Sequence, residues 1–369
     1  NESRLNNLRL QMTAHQMEGI ALVPGPNMVY FSDIHAHLSE RPIVLFVPAD
    51  EEPAIIIPSL EAMKAEAAGI AEENIFVWSD EAGFARAFQA AAAELGLPDW
   101  KLGVETLHMR VLESQQLLAS APGVEIVSAD ELISALRGIK DDDDIAILER
   151  AVVVAEQAMN TLLPRLRVGM SEKQIAGLLT QELMDAGADV VAFGPIVASG
   201  PNSAIPHAVP TERQIQEGDL LLFDWGALID GYASDITRTF AVGEVGADLR
   251  EIHEAVRLAN QEGKLAVRPG AAAQEVDRAA RQAIEEAGFG DKFIHRTGHG
   301  LGLEVHEEPS LAEGNLTQLR AGNVFTVEPG IYLAGHGGVR IEDDILVTAE
   351  GHRSLTSFPR NLISIGIQS

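Results

Sequence analysis

An α/β domain followed by an α+β domain is the architecture this sequence predicts, and three observations carry the prediction. The chain has 369 residues, more than one hydrophobic core usually serves. Its first third alternates short apolar runs with helical stretches, the pattern of a layered domain with a largely parallel or mixed sheet. Further on, long apolar-periodic helices come in pairs, each pair followed by a pair of apolar strands. That half reads as helices packed on one face of a mainly antiparallel sheet. The division this predicts is 1–135 and 136–369, with no flexible Gly/Ser linker between the two parts.

In order, an amphipathic helix over about 3–18 leads to strand-like runs at 20–23 (IALV), 28–31 (MVYF), 43–47 (IVLFV) and 54–57 (AIII). A helical stretch at 60–69, a strand at 75–78 (IFVW), an alanine-rich helix (ARAFQAAAAELG), the strand LGVE, another helix and a strand at 124–127 (VEIV) complete the first part. The second begins with four consecutive aspartates, Asp141 to Asp144. They read as solvated negative charge at the N-terminus of a long helix, where it suits the helix dipole, rather than as a metal loop. Helices are expected around 143–165, 171–187, 247–266 and 272–287. The strand pairs are LLLFDWGALI with YASDITRTFAV, and VFTVEPGIYL with VRIEDDILV, so a weak internal duplication is conceivable.

Composition narrows the function. Acids outnumber bases 55 to 27, a formal charge of −28, which argues against nucleic acid or an anionic membrane surface as partner. There is no cysteine, so disulfides and thiolate zinc sites are excluded, and a cytoplasmic location is expected. No apolar run approaches the roughly 18 residues that span a bilayer.

The chemistry-bearing residues are acids placed among apolar ones. Asp224 (FDWG) and Asp235 (SDITRT) stand in a stretch that reads as a buried hairpin. Their midpoint lies between Ile229 and Asp230, beside Gly231, so a turn there would set them opposite one another with Cβ atoms about 5 Å apart. Glu328 (TVEPG) and Glu342 (RIEDD) straddle Gly335 in the same manner. Like charges opposed across a ladder are destabilising unless a cation lies between them. Between the two hairpins runs HRTGHGLGLEVHEE, which displays His295, His299 and His306 among glycines. Two carboxylate pairs with an imidazole make a site for two divalent ions, with Mn²⁺ or Co²⁺ suiting the oxygen-rich set better than a structural zinc.

The order D…SDITRT…GHGLG…VEPG…RIEDD resembles the pita-bread metallopeptidases: methionine aminopeptidase, aminopeptidase P and prolidase. An N-terminal α/β domain of this size is similar to that of creatinase, aminopeptidase P and prolidase. The resemblance therefore implies a creatinase-like N-terminal domain and a pita-bread catalytic domain, covering essentially the whole chain. Carried over by motif, the metal ligands are Asp224, Asp235, His299, Glu328 and Glu342, with Asp235 and Glu342 bridging two ions. Mn²⁺ is the first expectation, with Co²⁺ and Zn²⁺ as alternatives. A hydroxide between the ions would attack the peptide, and Glu328 would also shuttle the proton to the leaving nitrogen.

The resemblance further implies that His207 (SAIPHAVP) and His306 line the substrate pocket. His295 is expected to buttress the site, and Tyr332 matches a pocket tyrosine. Arg340 lies two residues before Glu342, hence on the same strand face, where it would orient a ligating carboxylate. His37 and Arg41 (DIHAHLSERP) lie on an N-domain loop of the kind that approaches the neighbour's site in related dimers, so a homodimer is implied. The substrate class implied is a small peptide with proline after the scissile bond, and an Xaa-Pro dipeptidase is the leading reading. Many prolidases carry HExPR, whose arginine is taken to hold the dipeptide carboxylate; this chain has His306-Glu307-Glu308-Pro309-Ser310. A cation from Arg41 or Arg296 would have to substitute, or else an aminopeptidase P-like enzyme acts on longer peptides. A related small-amide hydrolase on the same fold is the third possibility.

Overall fold

The computed structural model describes residues 2–365, which divide into two compact units between Arg137 and Gly138. The first unit opens with α1 (Glu2–Ala14), β1 (Gly19–Leu22) and α2 (Pro26–Ser32). It continues with β2 (Val44–Pro48), β3 (Ala54–Pro58), α3 (Ala62–Ala67) and β4 (Ile75–Trp78), then α4 (Ala85–Leu95), β5 (Lys101–Val104), α5 (Val111–Ser120), β6 (Glu125–Ser128) and α6 (Asp130–Arg137). The six strands form one mixed sheet in the order β4-β3-β2-β1-β5-β6. β1, β2 and β3 pair antiparallel, while β3–β4, β1–β5 and β5–β6 pair parallel.

One expected strand is absent. MVYF at 28–31 is the body of α2, although its residues favour strands. Pro26 stands in the first turn, where its missing N–H costs nothing, and Asp33 closes the helix in the left-handed conformation. Met28, Tyr30 and Phe31 are buried, so helical spacing serves the core here better than alternation does. Asn27 fixes the start of the helix through a 2.7 Å bond to the Glu105 carboxylate and a 2.6 Å bond from Arg137.

The second unit begins with α7 (Asp142–Leu162), α8 (Glu172–Asp185), β7 (Val190–Val191) and β8 (Ile196–Ser199). Then come β9 (Leu220–Trp225), β10 (Ala227–Ile229), β11 (Tyr232–Ala233) and β12 (Ile236–Val242), followed by α9 (Ala247–Ala266) and α10 (Ala273–Glu286). The remaining strands are β13 (Gly298–Gly300), β14 (Glu307–Leu311), β15 (Val324–Val327), β16 (Gly330–Leu333), β17 (Gly337–Arg340), β18 (Asp343–Val347), β19 (His352–Ser354) and β20 (Ser364–Ile365). The helix pair and the strand pair thus recur once each way along the chain. The larger sheets are β20-β12-β9-β8 and β14-β13-β15-β18-β19, and an isolated antiparallel bridge, Thr237 to Glu342, joins them.

The aspartate run is only partly solvated. Asp141 caps α7 and forms a reciprocal capping box with Asp144, and Asp144 is itself buried, accepting from the Tyr232 hydroxyl. The helix dipole accounts for the charge, but Asp144 also ties the helix to the first hairpin.

Period-two alternation determines what that hairpin presents. Leu221, Phe223 and Trp225 of β9, with Ile236, Phe240 and Val242 of β12, pack into the core made by α7 and α8. Leu220 and Ala241 belong instead to the core under α9. Asp224 and Thr237 therefore fall on the face away from α7 and α8.

Candidate active site

Five elements contribute the predicted ligands. Asp224 lies on β9, Asp235 just before β12, His299 on β13, Glu328 just after β15 and Glu342 just before β18. The first hairpin does not have the expected register. Its two-residue turn is Asp230-Gly231, both at positive φ, and Ile229 pairs with Tyr232. Asp224 therefore faces Thr237, and Asp235 lies two pairs nearer the turn, on the same face. The discrepancy is two residues, which preserves the face, so both acids still look the same way. In the second hairpin Leu333 pairs with Gly337 across Gly335, and the pairing Val327–Asp343 on the other side keeps Glu328 and Glu342 in line.

β13 threads between β14 and β15 at close range. A Cβ on Gly298 would lie 1.9 Å from the Thr326 carbonyl oxygen, so only glycine lets the backbone pass and His299 turn toward the acids. The lead into β13 is held by Asp277 of α10, whose carboxylate accepts from the Thr297 amide at 3.0 Å and hydroxyl at 2.8 Å. His299 donates Nδ1–H to the Gly300 carbonyl at 3.1 Å, which leaves the Nε2 lone pair facing the acids. Nε2 is 3.4 Å from Glu328 Oε1 and 3.7 Å from Asp235 Oδ2.

Asp235, His299 and Glu342 offer ligand atoms that all lie within 4.8 Å of one another. Asp224 and Glu328 flank this trio, and both are engaged with Arg340: its Nη2 meets Asp224 Oδ2, and its Nε is 3.9 Å from Glu328 Oε2. Arg340 also donates to Thr237 Oγ1 and to Tyr332 Oη, each at 3.1 Å, and to the Pro206 carbonyl. Tyr332 Oη lies 2.8 Å from His295 Nε2, whose ring donates at Nδ1 to the Arg296 carbonyl. Because the guanidinium can only donate, the tyrosine accepts from Arg340 and passes its own proton toward His295. The His295–Tyr332–Arg340 chain thus buttresses the acids.

The electrostatics are those of a cation site. Burial, then the charges of Glu342 and Asp224, push the Asp235 carboxyl well up; burial, then Glu328 and Asp224, do the same to Glu342. Burial raises Glu328 to about 8 against the opposing charge of Arg340. Burial lowers His299 to about 3 and His295 to about 4, so both rings are neutral near pH 7. Asp224 Oδ1 and Asp235 Oδ1 are buried without any hydrogen-bond partner. Orphaned carboxylate oxygens, mutually repelling acids and one neutral imidazole nitrogen fit one or more divalent cations.

His207 and His306, the two histidines expected to line the pocket, are exposed. His306 stacks edge-on against His299 with ring centroids 4.2 Å apart. The loop bearing His207 is anchored by buried Glu172, which accepts from Ser199 and Thr211 through both amides and both hydroxyls. His37 and Arg41 belong to the N-terminal unit, where His37 is exposed and Arg41 forks onto Asp80 at 2.9 and 2.8 Å.

Two participants were missed by sequence reasoning. Thr237 donates its hydroxyl to Glu342 Oε2 at 2.6 Å while accepting from Arg340, and Asp344 accepts the Asp235 amide at 3.2 Å. Each stands two residues beyond a predicted ligand, so strand parity alone could have identified both.

Comparison with known proteins agrees with this arrangement. The pattern of Metallopeptidase family M24 matches residues 146–349, and that of the Creatinase/Prolidase N-terminal domain matches 4–139. The Xaa-Pro dipeptidase of Pyrococcus furiosus is 41% identical over 71% of this chain and 75% of its own. A prolidase from Thermococcus sibiricus superposes with a TM-score of 0.93 at 34% identity, covering 99% of both chains. An Xaa-Pro dipeptidase from Bacillus anthracis gives 0.90 at 34% identity, again over 99% of each. Taken with the buried acid-and-imidazole cluster, these likenesses make the chain a metallopeptidase belonging to family M24, with a creatinase/prolidase N-terminal domain ahead of a pita-bread catalytic domain.

Proposed function

We propose that this enzyme hydrolyses the Xaa-Pro bond of dipeptides, using two divalent ions held by Asp224, Asp235, His299, Glu328 and Glu342. Mn²⁺ is the preferred ion for so oxygen-rich a set. The observation that carries the reading is the pair of unpartnered carboxylate oxygens, Asp224 Oδ1 and Asp235 Oδ1, buried beside Glu342 and a neutral His299. Ions bound there would acidify a water and polarise the scissile carbonyl.

The remaining steps fall to the chain's own groups. Glu328, whose Oε1 lies 3.4 Å from His299 Nε2, would take the proton of the attacking water and return it to the proline nitrogen. Arg340 and Thr237 orient Asp224 and Glu342 by direct hydrogen bonds. His207 and His306, exposed on the substrate side, are assigned to the scissile carbonyl and the residue after the cut. The dipeptidase names carried by the relatives support the substrate class. We also propose a homodimer, in which His37 and Arg41 on the N-terminal loop would act at the site of a second copy. Metal-stripped protein, assayed with and without Mn²⁺ on Leu-Pro, Leu-Pro-Pro and Leu-Ala, tests the proposal: Mn²⁺-dependent cleavage of Leu-Pro alone supports it.

A further inference from the structure

Resting on that dipeptidase reading, we infer that Arg296 is the cation that receives the free carboxylate of the dipeptide, with Ser310 holding its guanidinium in place. Covalent geometry limits where such a cation can be. Only three bonds, C–N, N–Cα and Cα–C, separate the scissile carbon from the terminal carboxyl carbon, so the two lie within about 4 Å. The partner must therefore stand beside the metal-binding acids, and it must be a charge not already neutralised by the protein.

Most arginines of the catalytic unit near the acids fail the second condition. Arg340 is bonded to Asp224, Arg238 to Asp343 and Arg281 to Asp277, each carboxylate within hydrogen-bond distance. Arg296 differs. It precedes His299 by three residues and is half-buried, and among the described residues no carboxylate lies within 4.0 Å of it. Its Nη1 donates to Ser310 Oγ at 3.3 Å, across the β13–β14 pairing that sets Gly298 against Leu311. A hydroxyl aims a guanidinium without cancelling its charge, which leaves the remaining donors for a planar anion. The charge of Arg296 also reaches His299, His306 and Glu328, as expected of a group on the substrate side of the acids. A longer peptide carries its carboxylate about 3.5 Å farther away per residue. An arginine tethered at this distance would thereby select for length.

Arg296→Gln, assayed on Leu-Pro and on Leu-Pro amide with the Mn²⁺-loaded enzyme, tests the assignment. Loss of a charge-assisted bond predicts a KM for Leu-Pro raised about 10- to 100-fold, with kcat changed less than about threefold. Leu-Pro amide, which has no carboxylate, should be affected less than about threefold. Moving the charge in the double variant Arg296→Ser/Ser310→Arg should recover Leu-Pro activity relative to Arg296→Ser alone. Equal losses on both substrates, or wild-type enzyme indifferent to amidation, would overturn the inference while leaving the dipeptidase reading intact. Failure of wild type to cleave either proline substrate would remove that reading, and this inference with it.

Discussion

Asp235 is 4% exposed, its Oδ1 has no partner, and the charges it feels most are those of Glu342, Asp224 and Asp344, all carboxylates. Without a cation, such a group stays protonated or strains the fold. Asp235→Asn, nearly isosteric, should therefore stabilise the metal-free protein. Protonation caps the penalty of the native acid, so a gain of about 1–2 kcal/mol at pH 8 is expected rather than the cost of a bare buried ion. For a unit of this size that corresponds to a melting temperature about 2–8 °C higher. The sign with pH follows from the direction of the shift. Burial raises the folded carboxyl above its unfolded value, so stability is greatest while the acid is protonated in both states and is lost as pH rises toward the folded value. The advantage of the asparagine should shrink toward pH 5 for the same reason. Melting in chelator at pH 5, 6.5 and 8, then with Mn²⁺, is the assay. Wild type should gain stability from Mn²⁺ and the variant should gain little. A variant less stable than wild type in chelator at pH 8 would refute the reasoning, because Asp235 would then be a satisfied structural acid.

Two further substitutions probe the supporting residues. Thr237→Val removes the hydroxyl between Arg340 and Glu342 and should weaken Mn²⁺ binding about 10- to 100-fold in a chelator competition, whereas unchanged affinity would reduce Thr237 to packing. Glu172→Gln should cost about 2–4 kcal/mol, because an amide cannot accept all four bonds from Ser199 and Thr211. Burial pushes the Glu172 carboxyl up, but those bonds outweigh it and hold it below the usual range. Its stabilisation is therefore present above the unfolded value and lost as pH falls through the folded one, so the gap between wild type and variant in melting temperature should narrow toward pH 4. A pH-independent gap would argue against it.

What could be read from the sequence divides along a physical line. Strands and helices with a strong period were legible: the paired helices α7–α8 and α9–α10, the strand carrying Asp224 and the strands flanking Glu328 and Glu342 all form where the pattern places them. The second hairpin was legible to the residue because Gly335 sits at its centre. The first was misplaced by two, although Asp-Gly is the preferred pair for a two-residue turn and should have outweighed the symmetry of the two aspartates. MVYF misled because β-branched and aromatic residues say nothing of the proline and the Asn27–Glu105–Arg137 cluster that make it helical. Asp144 looked solvated because its partner, Tyr232, is distant in sequence. Glu172 gave no signal at all, since every group it binds comes from another segment.

The central claim is that the acids around Asp235 exist to hold divalent ions for cleavage before proline. The most direct measurement is metal content together with hydrolysis, on one sample stripped of metal and then titrated with Mn²⁺. The account predicts two ions bound per chain and Leu-Pro cleavage that rises with their binding, while Leu-Ala stays intact. Leu-Pro hydrolysis at full rate in metal-free protein, or two bound ions with no proline dipeptide cleaved, would contradict it.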